Sequence, residues 1–376
     1  MSHSHEDAVK DRYMQGRTIE PLQLGGNENV ADMIDNVFAA SGFNARRLAE
    51  AAHLFSRMLD GPATVALTLA GAMTPIGMSG PIVRLIENGF VDFVISTGAN
   101  LYHDLHRPFG MPMVQGHASA DDDELAEMGI ARIFDVFIED EDTLMASDRV
   151  ILNAVRELQD GHPVSTASLH YALGQRIARK APQPRKSILA VAAEYDVPVF
   201  TSSPGDSSIG MNLVPGHLFG QPVRLDPILD VIESTAIVRA ADKNGVIEVG
   251  GGSPKNFYLQ TQPTLHQILL DRSKGGHDYV IQLTVDAPHW GGLSGATPSE
   301  ARSWGKIKEA TRNNVVVYSC ASLTLPLLAQ YVLIRNKPRQ PKRLMKDLPE
   351  MVEQLKAFAA SNQELRDQLK AYYPIL

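Results

Sequence analysis

Short runs rich in β-branched residues recur along this chain, each separated from the next by a stretch with helical spacing. That alternation constrains the fold more than any other feature of the sequence. "TVALTLA" (64–70) and "VDFVIST" (91–97) read as buried strands, and "GPIVRLIENG" (80–89) between them has helical spacing and a closing glycine. "ARIFDVFI" (131–138), "VPVFTSS" (197–203), "GVIEVGG" (245–251), "DYVIQLTV" (278–285) and "NNVVVYSC" (313–320) are further strand candidates. Helices are expected over 141–160, 165–180, 185–195, 227–240, 254–270, 297–305 and 322–335. Strands alternating with helices predict βαβ units and an α/β fold with a mostly parallel sheet flanked by helices. Ligands of such sheets sit at the carboxyl ends of the strands, so segments that directly follow a strand are where chemistry is expected.

The two ends depart from this pattern. Residues 1–25 lack a clear period and read as an N-terminal arm, leaving 26–335 as the α/β body. "RNKPRQPKRLMKDLP" (335–349) is basic and proline-containing and reads as a linker, so that 336–376 comprises a linker and a C-terminal helix. Over 348–372, Met351, Leu355, Phe358, Leu365 and Leu369 recur near helical spacing, an amphipathic helix expected to pack on the body or on a sister subunit.

Composition narrows the function classes. With 376 residues, 44% of them hydrophobic, the chain can bury a large core. A net charge of −8 provides no basic field for phosphates, so nucleic acid is not expected as a partner, whereas a small cationic substrate suits an acidic surface. No apolar run approaches the roughly 18 residues of a membrane span. The start, "MSHSHEDAVKDRY", is polar and has no secretory pattern. Cys320 is the single cysteine, which excludes an internal disulfide and fits a reducing compartment. These features together predict a soluble, cytoplasmic protein.

Several clusters follow strands. "EVGGGSPKNF" (248–257) is a strand, three glycines (Gly250, Gly251, Gly252) and a helix start with Pro254 in its first turn. Such glycines let backbone N–H groups approach a phosphate at a helix N-terminus, although a tight turn needing positive φ accounts for them equally well. In "TPIGMSGP" (74–81), Thr74, Ser79 and Gly80 either cap a helix or hold a phosphate or ribose. "STGANLYHDLHR" (96–107) places Thr97 and Gly98 at a strand end; its His103, Asp104 and His106 lack a further firm ligand, so no metal is expected. Asp206 in "TSSPGDSSIGMN" (201–212) either stabilises a turn or binds a ribose hydroxyl or an amine.

"LSGATPSEARSWGKI" (293–307) places Glu300 one helical turn before Trp304, then Gly305 and Lys306. Two readings are open: a solvated lysine at a helix end, or a nucleophilic lysine beside an aromatic wall that binds a cationic amine. A nucleophilic lysine needs burial or a cationic neighbour to lose its proton near neutral pH. On one continuous helix, Glu300 and Trp304 lie about 40° apart and Lys306 about 120° from Glu300. The site therefore closes only if the pocket wraps the helix or if Gly305 ends it.

"TGANLYHDL", "VPVFTSSPGDSSIG", "EVGGGSPKN", "ARSWGKI" and "YSCASLTLPLL" resemble, in the same order, segments of the deoxyhypusine synthase family, and the resemblance spans roughly residues 60–335. The resemblance implies a Rossmann-like parallel core and a homotetramer with NAD and active sites at subunit interfaces. It also implies NAD-dependent transfer of an aminobutyl group through an imine on the family lysine. Carried over, Lys306 is the nucleophile, Trp304 the polyamine-stacking wall and Glu300 an amine-binding carboxylate. Thr74, Ser79, Thr97, Gly98, Asp206, Gly250, Gly251, Gly252 and Ala321 fall at cofactor-binding positions. The sequence also departs from the family. Leu293 and Met211 stand where the family carries substrate-binding acids, Asn256 replaces its catalytic histidine, and His103 and Cys320 replace acids of the NAD site. Asp286 and His289, just after a strand, are candidate replacement contacts. The expectation is an NAD-dependent transferase joining small amine donors and acceptors, of homospermidine synthase type. The alternatives are a true deoxyhypusine synthase and a noncatalytic NAD-binding homologue.

Overall fold

The computed structural model describes residues 2–158, 162–308 and 312–373, with side chains from residue 8 onward. Its centre is a sheet of six parallel strands: β1 (Ala63–Leu69), β2 (Phe93–Ser96), β3 (Val199–Thr201), β4 (Lys243–Val249), β5 (Tyr279–Thr284) and β6 (Asn314–Tyr318). They lie in the order β6-β5-β4-β1-β2-β3, the doubly wound order in which the direction of winding switches between β1 and β4. Parallel strands covered on both faces are largely apolar, and every residue of β1 is buried.

Successive side chains of each strand feed two separate cores. Val65, Leu67, Leu69, Ile247, Leu283 and Val317 pack under helices Phe43–Asp60, Ser79–Glu87, Ile188–Glu194 and Ala321–Arg335. Ala66, Phe93, Ile95, Phe200, Val246 and Val280 face the other way, beneath helices Pro227–Ala240 and Gly252–Pro263. On this second face the register pairs Thr68 with Glu248 and Glu248 with Gln282, a polar row near the carboxyl ends of the strands.

The segment 131–138 does not join the main sheet. It folds back at Phe134, whose φ is 54°, into antiparallel strands Ile130–Ile133 and Val136–Glu139, with Met113–Gln115 completing a small sheet. The apolar pattern does not distinguish one long strand from a hairpin, and only the left-handed turn divides it. The stretch 141–160 is likewise divided, into a π-helical turn over Asp140–Met145, an α-helix over Ala146–Val155 and a 3-10 turn over Arg156–Leu158, with 159 and 160 outside the described residues.

Residues Ser2–Met14 form a helix, and the side chains from 8 to 25 are exposed. The C-terminal linker is anchored to the body. Arg339 donates to the carbonyls of Gly89 and Ala63 and to the buried Asp92 carboxylate, and Lys342 donates to the Thr64 hydroxyl at 2.8 Å. The tail is two helices, Leu344–Ser361 and Gln363–Leu369. Asn362 separates them, caps the second and donates to the Leu269 carbonyl. Leu344, Leu348 and Leu355 enter the second core, so the tail packs on its own body.

Asn100, fully buried, ties the carboxyl ends of β1 and β2 together. Its Oδ1 accepts from the N–H groups of Met73 and Thr74, and its Nδ2 donates to the Gly71 carbonyl and the Thr97 hydroxyl. Truncation leaves several buried groups without partners, each costing about 1–3 kcal/mol. Asn100→Ala is expected to lower the unfolding free energy by about 2–3 kcal/mol or more, checked by denaturant unfolding; an unchanged midpoint contradicts this role.

Candidate functional site

The turn that presents Lys306 is built from local rules. Helix Pro298–Ser303 starts at Thr297, whose hydroxyl accepts from the Glu300 N–H at 3.2 Å, with proline at the first position. It ends in a Schellman closure: Gly305, at φ 67°, donates to the Arg302 carbonyl at 2.9 Å, and the Lys306 N–H reaches back to the Ala301 carbonyl at 3.1 Å. A Cβ at position 305 would also stand 2.8 Å from Nε2 of His266. Glycine therefore ends the helix, and Lys306 is not carried round to its far side. The amine instead sits 5.7 Å from the centroid of the Trp304 ring. The Lys306 carbonyl accepts from the His277 N–H at 2.9 Å, which pins the backbone.

The Lys306 amine donates to Oδ1 of Asn256 at 3.0 Å, joining two motifs that lie 50 residues apart. Burial holds this amine below the ordinary lysine range. The neighbouring Lys255 ammonium acts in the same direction, and Glu300 opposes both. Asn256 and Leu293 line a cavity of about 330 Å³ whose other wall includes Val231, Ser234 and Thr235 of helix Pro227–Ala240. None of its lining residues carries a charge. Trp304 is 66% exposed and, like Glu300, lies outside that lining.

A second cleft, of about 310 Å³, opens at the winding switch. It is lined by Ala70 and Gly71 after β1, Gly250 and Gly251 after β4, Asp286 after β5, and Cys320 and Ala321 after β6. Gly250 and Gly252 have φ of 78° and 60°, and a Cβ on Gly251 would come within 2.4 Å of Cα of Ser294. The glycines thus turn the chain into helix Gly252–Pro263 and let the Ser294 segment close over it. The Thr97 hydroxyl donates to the Gly71 carbonyl at the rim. Gly98 packs so tightly on Ser207 that a Cβ there would lie 1.9 Å from Cβ of Ser207, which brings the loop of the exposed Asp206 alongside. Thr74 and Ser79 are buried: the Thr74 hydroxyl donates to the Asn100 carbonyl, and Ser79 opens helix Ser79–Glu87.

Asp286 and His289 do not join Asn256. Asp286 faces the glycine cleft, and His289 is exposed against Trp290 at 4.6 Å between ring centroids. Leu293 meets Asn256 in one cavity, but Met211, 65% exposed at the end of helix Ser208–Met211, does not line it. His103 and His106 bond to each other at 2.9 Å, and burial pushes them down to about 4 and about 3, so both are neutral at physiological pH. Asp104 faces away from that pair and accepts from Ser187 and the N–H groups of Ile188 and Leu189.

Sequence reasoning did not assign Asn100, Glu248 or Gln282 a role. The available signal was a carboxylate and an amide inside otherwise apolar strands. Lys255, the other lysine near the glycines, is only 4% exposed. It donates to Gln282 Oε1 at 3.1 Å and to the Ala296 carbonyl, with Glu248 Oε2 at 3.9 Å.

The family model for deoxyhypusine synthase matches residues 32–332. A deoxyhypusine synthase-like protein of Cyanothece sp. is 44% identical over 353 residues, 90% of this chain and 87% of that one. "Probable deoxyhypusine synthase 2" of Methanosarcina acetivorans is 38% identical over 319 residues, 85% of this chain and 90% of that one. The crystal structure of a candidate deoxyhypusine synthase from Entamoeba histolytica shares the fold at a TM-score of 0.60 and 15% identity, covering 86% of this chain and 99% of that one. With a family match over residues 32–332 and relatives 38–44% identical across most of its length, this chain belongs to the deoxyhypusine synthase family, whose members are NAD-dependent aminobutyltransferases.

Proposed function

We propose that this protein moves an aminoalkyl group between small amines through an imine on Lys306, with NAD held in the glycine cleft. The observation that carries this reading is the Lys306 amine, depressed by burial and Lys255, bonded to Asn256 at the wall of an uncharged cavity. The cleft suits a dinucleotide: it lies at the winding switch, and the glycine turn brings backbone N–H groups to the start of a 12-residue helix. Gly250, Gly251, Gly252 and Ala321 would hold the cofactor, with Thr97, Gly98 and Asp206 at the rim and Thr74 and Ser79 shaping the loop after β1. NAD bound there would supply the hydride-transfer chemistry that oxidises the amine donor and reduces the product.

Lys306 supplies the nucleophile. Its lone pair attacks the carbon of the oxidised donor, a carbon–nitrogen bond to Lys306 forms, and the donor's departing amine leaves with a proton. The acceptor amine then attacks the resulting enzyme imine and releases Lys306 as the free amine. Trp304 offers a face for a cationic amine and Glu300 a counter-charge. Asn256 accepts a hydrogen bond from Lys306 but does not titrate near neutral pH, so it orients the amine rather than taking its proton. The open indole also leaves room for a lysine presented on a protein surface, as in deoxyhypusine synthesis, and the acceptor that clears the adduct decides between the two.

Lys306→Ala is expected to abolish transfer while NAD binding survives. The check is incubation with NAD and candidate amines, borohydride trapping and peptide mass spectrometry. Product formation by the variant, or an adduct on another lysine, refutes the mechanism.

By the family resemblance, Leu293 and Met211 stand where acids hold a second ammonium; of the two only Leu293 lines the cavity, and neither Asp286 nor His289 lines it to replace them. A charged hydrogen bond to an amine is worth about 1.5–3 kcal/mol, and each 1.4 kcal/mol is about tenfold. Donors whose far end carries a delocalised cation, such as agmatine, or a shorter diamine such as putrescine, are expected to outcompete spermidine in kcat/KM. Leu293→Asp with Met211→Asp should shift preference toward spermidine by about tenfold or more. A wide lead for spermidine in the unmodified protein refutes the pocket argument.

A homotetramer with sites completed across an interface is proposed on the family resemblance. The exposed Trp304, Leu293 and Trp290 around the site are consistent with it. Light scattering at working concentration should give a tetramer, and an active monomer overturns it.

A further inference from the structure

Beneath the glycine turn lies a polar layer that the reaction described above does not use. Thr68, Glu248 and Gln282 sit side by side on β1, β4 and β5. Lys255 drops onto them from the first turn of helix Gly252–Pro263. The side chains of Lys255 and Glu248 are 5% and 1% exposed, and Nζ lies 3.9 Å from the carboxylate. Nζ donates to Gln282 Oε1 and to the Ala296 carbonyl, while Gln282 Nε2 donates to the Gly250 carbonyl at 3.1 Å and the Ser294 carbonyl at 2.7 Å. The layer therefore grips both segments that frame the site, the glycine turn and the loop leading to Glu300. Buried charge is costly, and a hydrophobic replacement commonly packs as well, so a buried pair at this place calls for a role other than stability.

We propose that Lys255 is a positioning residue for the transfer. Held by Glu248 and Gln282, it fixes the 294–296 segment and the adjoining Asn256, and keeps a positive charge next to the Lys306 amine. Glu248 places a counter-charge of opposite sign beneath it, 3.9 Å from Nζ. The inference rests on Lys306 being the nucleophile. Asn256 follows Lys255 directly in the helix, so the residue that orients Lys306 and the residue that charges its surroundings move as one unit. Nearby charged and titratable groups have other arrangements. Glu300 acts on Lys306 from helix Pro298–Ser303 with the opposite sign. His266 packs on Gly305. His277, which bonds the Lys306 carbonyl, is held neutral by burial, and Lys308 is paired with Asp278 at 2.9 Å. Tyr258, fully buried and neutral, also lies near Glu248. Burial pushes the Glu248 carboxyl up to about 7, with Lys255 opposing, so its charge varies across the neutral range.

The test measures the Lys306 amine without turnover, by reductive methylation with formaldehyde and cyanoborohydride. The Lys306 peptide is quantified by mass spectrometry from neutral to strongly alkaline pH on the full chain. Lys255→Met removes the neighbouring cation and is expected to raise the apparent pKa of Lys306 by about one unit, a tenfold loss of labelling near neutrality that disappears at high pH. Glu248→Gln leaves Lys255 without its counter-charge and is expected to shift the curve downward, most clearly above pH ~7, where the wild-type carboxylate is charged. Shifts of opposite sign support the proposal. No shift, or shifts of the same sign, overturn it, because a purely structural role alters labelling without that sign reversal. If Lys255→Met does not fold, Glu248→Gln decides alone: a downward shift supports the proposal, and no change or a rise overturns it. The result is separable from the proposed function, which fails if Lys306→Ala still transfers, whatever the labelling curve shows.

Discussion

The left-handed turn at Gly305 is the constraint on which the candidate site depends. A helix of six residues followed by a glycine at φ 67° returns the next residue toward the helix it has just left. Without that reversal, Lys306 would continue around the helix, away from Trp304 and Asn256. The turn is over-determined: Lys306 is bonded through its own N–H to Ala301 and through its carbonyl to His277, and His266 fills the space a side chain at 305 would need. Such closure at both ends fixes an otherwise mobile side chain at its root, leaving the amine only a few torsions to search.

The sheet supplies what the turn cannot. Because all six strands run parallel, their carboxyl ends form one edge, and the winding switch between β1 and β4 opens a cleft in that edge. The glycine turn after β4 serves two sites: its backbone faces the cleft, and the helix it begins carries Lys255 inward and Asn256 toward Lys306. The glycine cleft and the Lys306 amine are thus coupled through one short segment. Its glycines are required both by positive φ and by the close approach of Ser294.

Buried polar groups define the limits of the site. Asn100 satisfies the loop carbonyls and N–H groups where β1 and β2 end, and Lys255 with Gln282 does the same where β4 and β5 end. Each of these side chains spans segments distant in sequence. Loop ends that would otherwise carry unpaired backbone groups are held in one arrangement, which gives the cleft a defined shape before any ligand arrives.

The alternation of strands and helices in the sequence was sufficient to predict the parallel sheet, because strands buried on both faces are largely apolar and local. The S-W-G-K-I segment and the triple glycine were legible as motifs because each is short, contiguous and rich in residues with special backbone demands. Segment 131–138 was misread as one strand, since a hairpin and a strand share the same apolar pattern and only the left-handed Phe134 separates them. The side chains that meet across long sequence separations were not legible in advance. Asn256 bonds Lys306 over 50 positions, and Glu248, Gln282 and Lys255 converge from two strands and a helix. Asp286 and His289 looked equivalent in sequence, yet one faces the cleft and the other solvent. Sequence thus determined which backbone conformations were available at each turn, a local property of glycine, proline and β-branched residues. Tertiary structure alone decided which polar side chains shared a buried space, because that depends on strand register and helix docking, which no local pattern encodes.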